Sequence, residues 1–213
     1  MRVTGNHPGS NADATTTHAA RAQGDAATVA LLAAARRLFA DRGYGAVDAL
    51  EIARHAGVPR AALAQFRGGK EDLLRAVLVQ ISAETMRRIV NAAGAHDDPW
   101  ESLVAGIDEF LDACARPEVA RTMLVDGPSV LGWDVWRAID ALSAVAIVEA
   151  ALERTMDAGR MQRHPPDALA QVLLGALQEA ANTIAGADDP SIARAEMGTM
   201  VRRLLQGFRT PGV

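Results

Sequence analysis

Histidines, clustered carboxylates and a glycine-rich turn are the residues of this chain that could support catalysis, and their spacing argues against it. His7, His18, His55, His96 and His164 are scattered, with no pair four residues apart on a helix to hold zinc. Asp108, Glu109 and Asp112 stand close together, as an acid–base pair or a metal site would need. No histidine stands at ligand spacing beside them, so a solvated acidic face accounts for them. Gly68-Gly69-Lys70 suggests a phosphate loop, but Glu71 follows where Ser or Thr belongs and no glycine precedes at the required spacing. A Gly-x-Ser-x-Gly elbow is absent. The single cysteine, Cys114, allows neither an internal disulfide nor a cysteine zinc site. The expectation is no enzyme, no metal and no other cofactor.

The chemistry that remains is recognition. Arg60 and Gln65 carry groups that match base edges, and Arg67 and Lys70 can meet phosphates. Ala61 and Ala62, between them, permit close approach or contact with a thymine methyl. These residues fall within the stretch from Val47 to Leu74, which the sequence divides into two short helices and the start of a longer one. Asp48 can cap the first, with Glu51 at capping-box spacing. Leu50, Ile52 and Ala53 give that helix an apolar side. Gly57 supplies the backbone freedom for a sharp turn, and Pro59 stands where a new helix can begin. This is the layout of a helix-turn-helix, whose second helix enters the major groove.

Leu38-Phe39-Ala40-Asp41-Arg42-Gly43-Tyr44, Ile52-Ala53 with Ala56-Gly57-Val58, Leu63, and Lys70-Glu71 with Leu73 resemble the DNA-binding domain of the TetR family of transcriptional regulators. The resemblance runs from about Leu31 to Leu78. It implies an all-helical homodimer with a ligand-binding C-terminal domain. The departures from the family pattern are local. Asp48 stands where Thr or Ser is usual, and Ala64 replaces a tyrosine that touches the DNA backbone. Phe66-Arg67 replaces a His-Phe pair, unless a one-residue slip puts Phe66 on the family phenylalanine. Asp25-Ala26-Ala27-Thr28 makes a thin basic arm.

Composition agrees with an all-α fold: 49% hydrophobic residues with few aromatics and no sustained strand alternation. The net charge of −4 is unevenly spread. Residues 1–75 hold ten Arg and Lys against seven Asp and Glu, and the rest of the chain holds twelve against nineteen. A mildly basic head on an acidic body suits phosphate binding, although an unevenly charged solvated surface would look the same. The sequence divides into a disordered arm at 1–24, a DNA-binding domain at 25–75 and a ligand-binding and dimerisation domain at 76–213. A polar break at Gly94–Pro99 marks an edge after the long helix that starts at Lys70. No signal peptide or membrane span is visible, and a cytoplasmic protein is expected.

In the body, Pro117 to Asp126 reads as a helix stopped by Gly127-Pro128, followed by a long segment from Ser129 to Met156. The stretch from Asp126 to Asp140 resembles a pattern in one subgroup of TetR C-terminal domains. Trp133, Trp136 and Asp140 fall on one face at helical spacing. With Phe110, Cys114 and Met123 they could line a small-molecule pocket, or simply fill a core. Leu169, Leu173, Ala176, Leu177 and Ala180 form one stripe, and Met197, Met200, Val201 and Leu204 another. Two such helices can pair with their copies as a four-helix bundle, or pack on the protomer's own core. The expected function is a repressor released from a pseudo-palindromic operator in double-stranded DNA by a small apolar or amphipathic molecule. The alternative is a ligand-binding or protein-interaction dimer whose head no longer binds a specific operator.

Overall fold

The computed structural model describes residues 10–140 and 144–211, with side chains over 23–139 and 145–211. Among the described residues the secondary structure is helical, with one isolated antiparallel bridge between Met161 and Arg209.

Helix α1, Ser10–Arg42, starts well before Asp25, so the expected arm is helical from Ser10 onward. Residues 10–23 contain no glycine or proline and five alanines, the residue with the highest helix propensity. The remainder of that arm, 1–9, lies outside the described residues. Helix α2, Ala49–His55, is capped by Asp48, whose carboxylate accepts from Glu51 N at 2.7 Å. The Glu51 side chain does not close the box. It pairs with Arg42 at 2.5 Å. A 3₁₀ helix, Arg60–Gln65, follows the turn at Gly57, whose φ of +67° is one that side chains resist. Helix α3 is Lys70–Gly94. Together α1, α2 and α3 close over a core that includes Leu31, Leu38, Phe39, Ile52, Leu74 and Leu78.

Helix α4, Pro99–Cys114, is capped by Asp98, which accepts from Trp100 N and Glu101 N. A π-helix, Glu118–Asp126, then runs straight into α5, Gly127–Leu131. Gly127-Pro128 therefore does not stop the helix. Gly127 is there for closeness: a Cβ on it would lie 2.7 Å from Trp136 Cδ1 and 3.2 Å from Leu78 Cδ1. The break comes at Gly132, with φ +78°. Helix α6, Trp133–Asp140, and α7, Ala144–Asp157, follow, so Gly132 divides what was expected as one long segment from Ser129. Helices α8, Pro166–Gly186, and α9, Pro190–Gln206, pack with α4 and α7 around a second core containing Trp100, Leu111, Leu152, Leu173, Ile184 and Leu205. Val119, Met123 and Trp136 belong to the first core instead, so the π-helix and α6 are built into the underside of the head.

Candidate DNA interface and effector region

The stretch after α2 is wound more tightly than an α-helix. Ala62 N donates to Pro59 O at 2.9 Å, Phe66 N to Leu63 O at 2.9 Å, and Gly69 N to Phe66 O at 2.8 Å. With three residues per turn, residues three apart eclipse. Leu63 and Phe66 both pack against the head core. Phe66 thus takes the inward place, and Arg67 is left exposed. Ala62 is half-buried on the core side, whereas Arg60, Ala61, Ala64 and Gln65 are exposed.

Two of the expected DNA-contacting groups are already occupied within the head. Lys70 Nζ donates to Tyr44 O and Val47 O, each at 2.8 Å, and lies 3.8 Å over the Tyr44 ring. Burial, and then the Glu71 charge, push the Tyr44 phenol up. The Gln65 amide accepts from Thr28 Oγ1 at 2.6 Å and donates to Ala62 O at 3.0 Å. Among the described residues, the cations of this face without a partner are Arg54, Arg60 and Arg67. Sequence reasoning missed Arg54 because nothing in its spacing separates it from any solvated arginine. It missed Thr28 because the pair spans 37 positions. Beside α2 an open cleft of about 390 Å³ is lined by Asp48, Leu50, Ala53, Arg54, Val58 and Arg60. Leu50, expected on the apolar side of α2, is exposed there.

The turn that carries α2 is also tied to the body. Arg121 donates to Asp41 O at 2.9 Å, and Tyr44 N donates to Asp126 at 2.8 Å. Arg36 on α1 bridges Glu84 on α3 at 2.6 Å and Glu118 on the π-helix at 3.4 Å. Hydrogen bonding from Arg36 holds the Glu84 carboxyl below the usual range.

Residues 31–77 match the family model described as "Bacterial regulatory proteins, tetR family", and residues 100–208 match "Tetracyclin repressor-like, C-terminal domain". The chain belongs to the TetR family of transcriptional regulators. A TetR-family regulator from Pectobacterium atrosepticum is 30% identical, with a TM-score of 0.76 over 89% of this chain and 97% of that one. A TetR regulator from Haloarcula marismortui shares the fold at 18% identity and a TM-score of 0.75, covering 86% and 98%. So does the fatty acid degradation regulator FadR from Bacillus halodurans, at 16% and 0.62, covering 81% and 96%. No protein of curated function matches the chain. No described helix is long and apolar enough to cross a membrane.

The TetR body does not gather the expected pocket residues into one place. Met123 and Trp136 lie in the head core, Phe110 and Cys114 in and beside the body core. Trp136 is 3% exposed, and its Nε1 donates to Met123 O at 2.7 Å. Trp133 is 54% exposed and stacks on it, with ring centroids 4.8 Å apart. The side chain of Asp140 lies outside the described residues. The inward tryptophan packs over Gly127 and bonds the Met123 carbonyl.

The expected dimer stripe also divides. Leu169, Leu173, Leu177, Ala180 and Val201 are buried in the protomer's own core, while Ala176 and Met197 are half-buried. Only Met200 and Leu204 of that set are exposed. The widest apolar stripe of an amphipathic helix packs on its own core first, and periodicity cannot say which copy it meets. The outer surface of the same two helices carries Val172, Ile192, Met200 and Leu204. Val172 and Leu204 flank a cavity of about 10 Å³, roughly the room of one water and far too small for an effector.

Proposed function

We propose that this TetR-family regulator is a homodimeric repressor that binds a pseudo-palindromic operator and leaves it when a small apolar or amphipathic molecule enters the body. The observation that carries the DNA reading is the exposed face of the helix-turn-helix, where Arg54, Arg60 and Arg67 are free while Leu63 and Phe66 pack inward. Unpaired arginines on a groove-sized element supply phosphate neutralisation and guanine recognition. Dimerisation falls to the outer surface of α8 and α9, where Val172, Met200 and Leu204 are exposed apolar groups on neighbouring helices. Effector entry falls to the body core that holds Cys114, against which Phe110 of α4 and Val148 of α7 pack. Three ties, Arg36 to Glu118, Arg121 to Asp41 O and Tyr44 N to Asp126, give such an event a route from the π-helix to the head.

A second reading, a ligand-binding dimer without a specific operator, is favoured by the Asp48 carboxylate at the start of α2 and by the engagement of Lys70 inside the head. Capture of genomic fragments from the source organism by the purified full chain separates the two. The repressor reading predicts a small set of fragments sharing an inverted repeat. Recovery of fragments in proportion to their abundance would move the protein to the second reading.

A further inference from the structure

We infer that Arg67, and not Arg60, is the residue with which each head reads a guanine. The inference rests on the DNA-binding reading above and assigns specificity within it. Its basis is the winding of the 3₁₀ helix. Were residues 60–67 an α-helix, positions 63 and 67 would share a face, because i and i+4 neighbour one another. Residue 67 would then point with Leu63 into the head. The i→i+3 bonds at Ala62, Phe66 and Gly69 align Leu63 with Phe66 instead, and both pack on the core. Position 67 is released to the surface.

The outer side of the helix is then made of Ala61 and Ala64, and Arg67, in the turn two residues past the helix end at Gln65, is exposed with them. Two alanines place nothing long between the helix and the floor of the groove. Arg60 belongs to the column of Leu63 and Phe66. It escapes burial at the end of that column and lines the cleft beside α2 with Asp48 and Arg54, at the flank rather than the outer side.

The backbone around Arg67 is held from both directions. Phe66 is anchored in the core, and Gly68 N donates to the Asp72 carboxylate at 2.7 Å. A Cβ at Gly68 would meet that carboxylate at 2.7 to 3.0 Å. An exposed guanidinium with no protein partner, on a backbone held on both sides, is free to make the two-pronged contact with guanine O6 and N7. Gln65 is committed to Thr28 and Ala62, and Lys70 to Tyr44 and Val47, so neither competes for the role.

The test is selection from a random duplex library with the full chain and with Arg67→Ala, Arg67→Lys and Arg60→Ala, each first shown to keep the wild-type melting temperature. Arg67→Ala should erase a guanine preference at one symmetric position per half-site and weaken the preferred duplex by roughly 5- to 150-fold. Arg67→Lys keeps the charge and loses the fork, so it should lose the same preference while binding arbitrary duplexes as well as wild type. Arg60→Ala should weaken all sequences alike and leave the preferred sequence unchanged. An unchanged preference in Arg67→Ala, or a guanine lost in Arg60→Ala, would overturn the assignment while leaving DNA binding intact. A wild-type chain that enriched no sequence would overturn the DNA-binding reading itself.

Discussion

The indole N–H of Trp136 donates to the carbonyl of Met123 at 2.7 Å, and it does so because Pro128 cannot. In the π-helix, Gly127 N bonds Thr122 O, five residues back. The next donor in that ladder would be residue 128, which as proline has no N–H. Met123 O is left without a main-chain partner until Trp136, reaching over the bare Cα of Gly127, supplies one. The pair fixes the segment from which Arg121 and Asp126 hold the head.

Gly127→Ala should therefore be costly at a position that sequence alone marks as a turn. The new methyl would stand 2.7 Å from the Trp136 ring and 3.2 Å from Leu78, so the ring must shift and the bond to Met123 stretch. Overpacking of this kind costs about 1–3 kcal/mol. Denaturant unfolding should show a lower midpoint, and an unchanged midpoint would refute the contact.

Lys70→Met should act on the fold of the head and not on phosphate. It strips donors from Tyr44 O and Val47 O, both in the part-buried turn, at a cost of about 1–3 kcal/mol. The salt dependence of DNA binding should keep its slope. A slope shallower by about one unit per half-site would show that the ammonium leaves Tyr44 to meet the DNA.

Val172→Glu and Met200→Glu should dissociate the dimer and leave the protomer folded, because both side chains are exposed on the outer surface of α8 and α9. Leu173→Glu should unfold the body instead, since a charge at a 2% exposed core position has no partner. Light scattering and circular dichroism on the three variants separate the outcomes. A wild-type interface of the usual stable size, above ~1,200 Å², is expected. Monomer mass for the wild type at micromolar concentration would contradict the dimer.

Acid should weaken the Arg36–Glu84 pair between α1 and α3. Arg36 holds the Glu84 carboxyl below its ordinary range. The stabilisation is therefore complete above the normal carboxylate pKa and is lost as pH falls through the lowered, folded-state value. Glu84→Gln should remove this part of the pH dependence. Thermal unfolding from neutral to acid pH checks it, and identical profiles for wild type and variant would exclude the contribution.

Local signals made the first half of the helix-turn-helix legible. Asp48 caps α2, and Gly57 takes the left-handed turn, because each acts on its own neighbours. The winding of 60–65 was not legible. Whether residue 66 or 67 turns inward depends on which one finds the head core, and Phe66 decides that by packing against it. The stripe on α8 was legible as apolar at Leu169, Leu173 and Leu177. Its destination was not, since the same period serves a protomer core or an interface. Gly127-Pro128 carried a true local signal, overridden by Trp136 nine and eight positions later.

The central claim is that two such heads, set about one helical turn or a multiple of it apart, recognise an inverted repeat. The most direct measurement is fluorescence anisotropy of the full chain against its most enriched duplex and a scrambled duplex of equal length, at low and physiological salt. The account predicts binding to the enriched duplex at least about 10³-fold tighter than to the scrambled one, with both weakening as salt rises. Equal affinity for the two duplexes, from a preparation shown to be folded and dimeric, would contradict it.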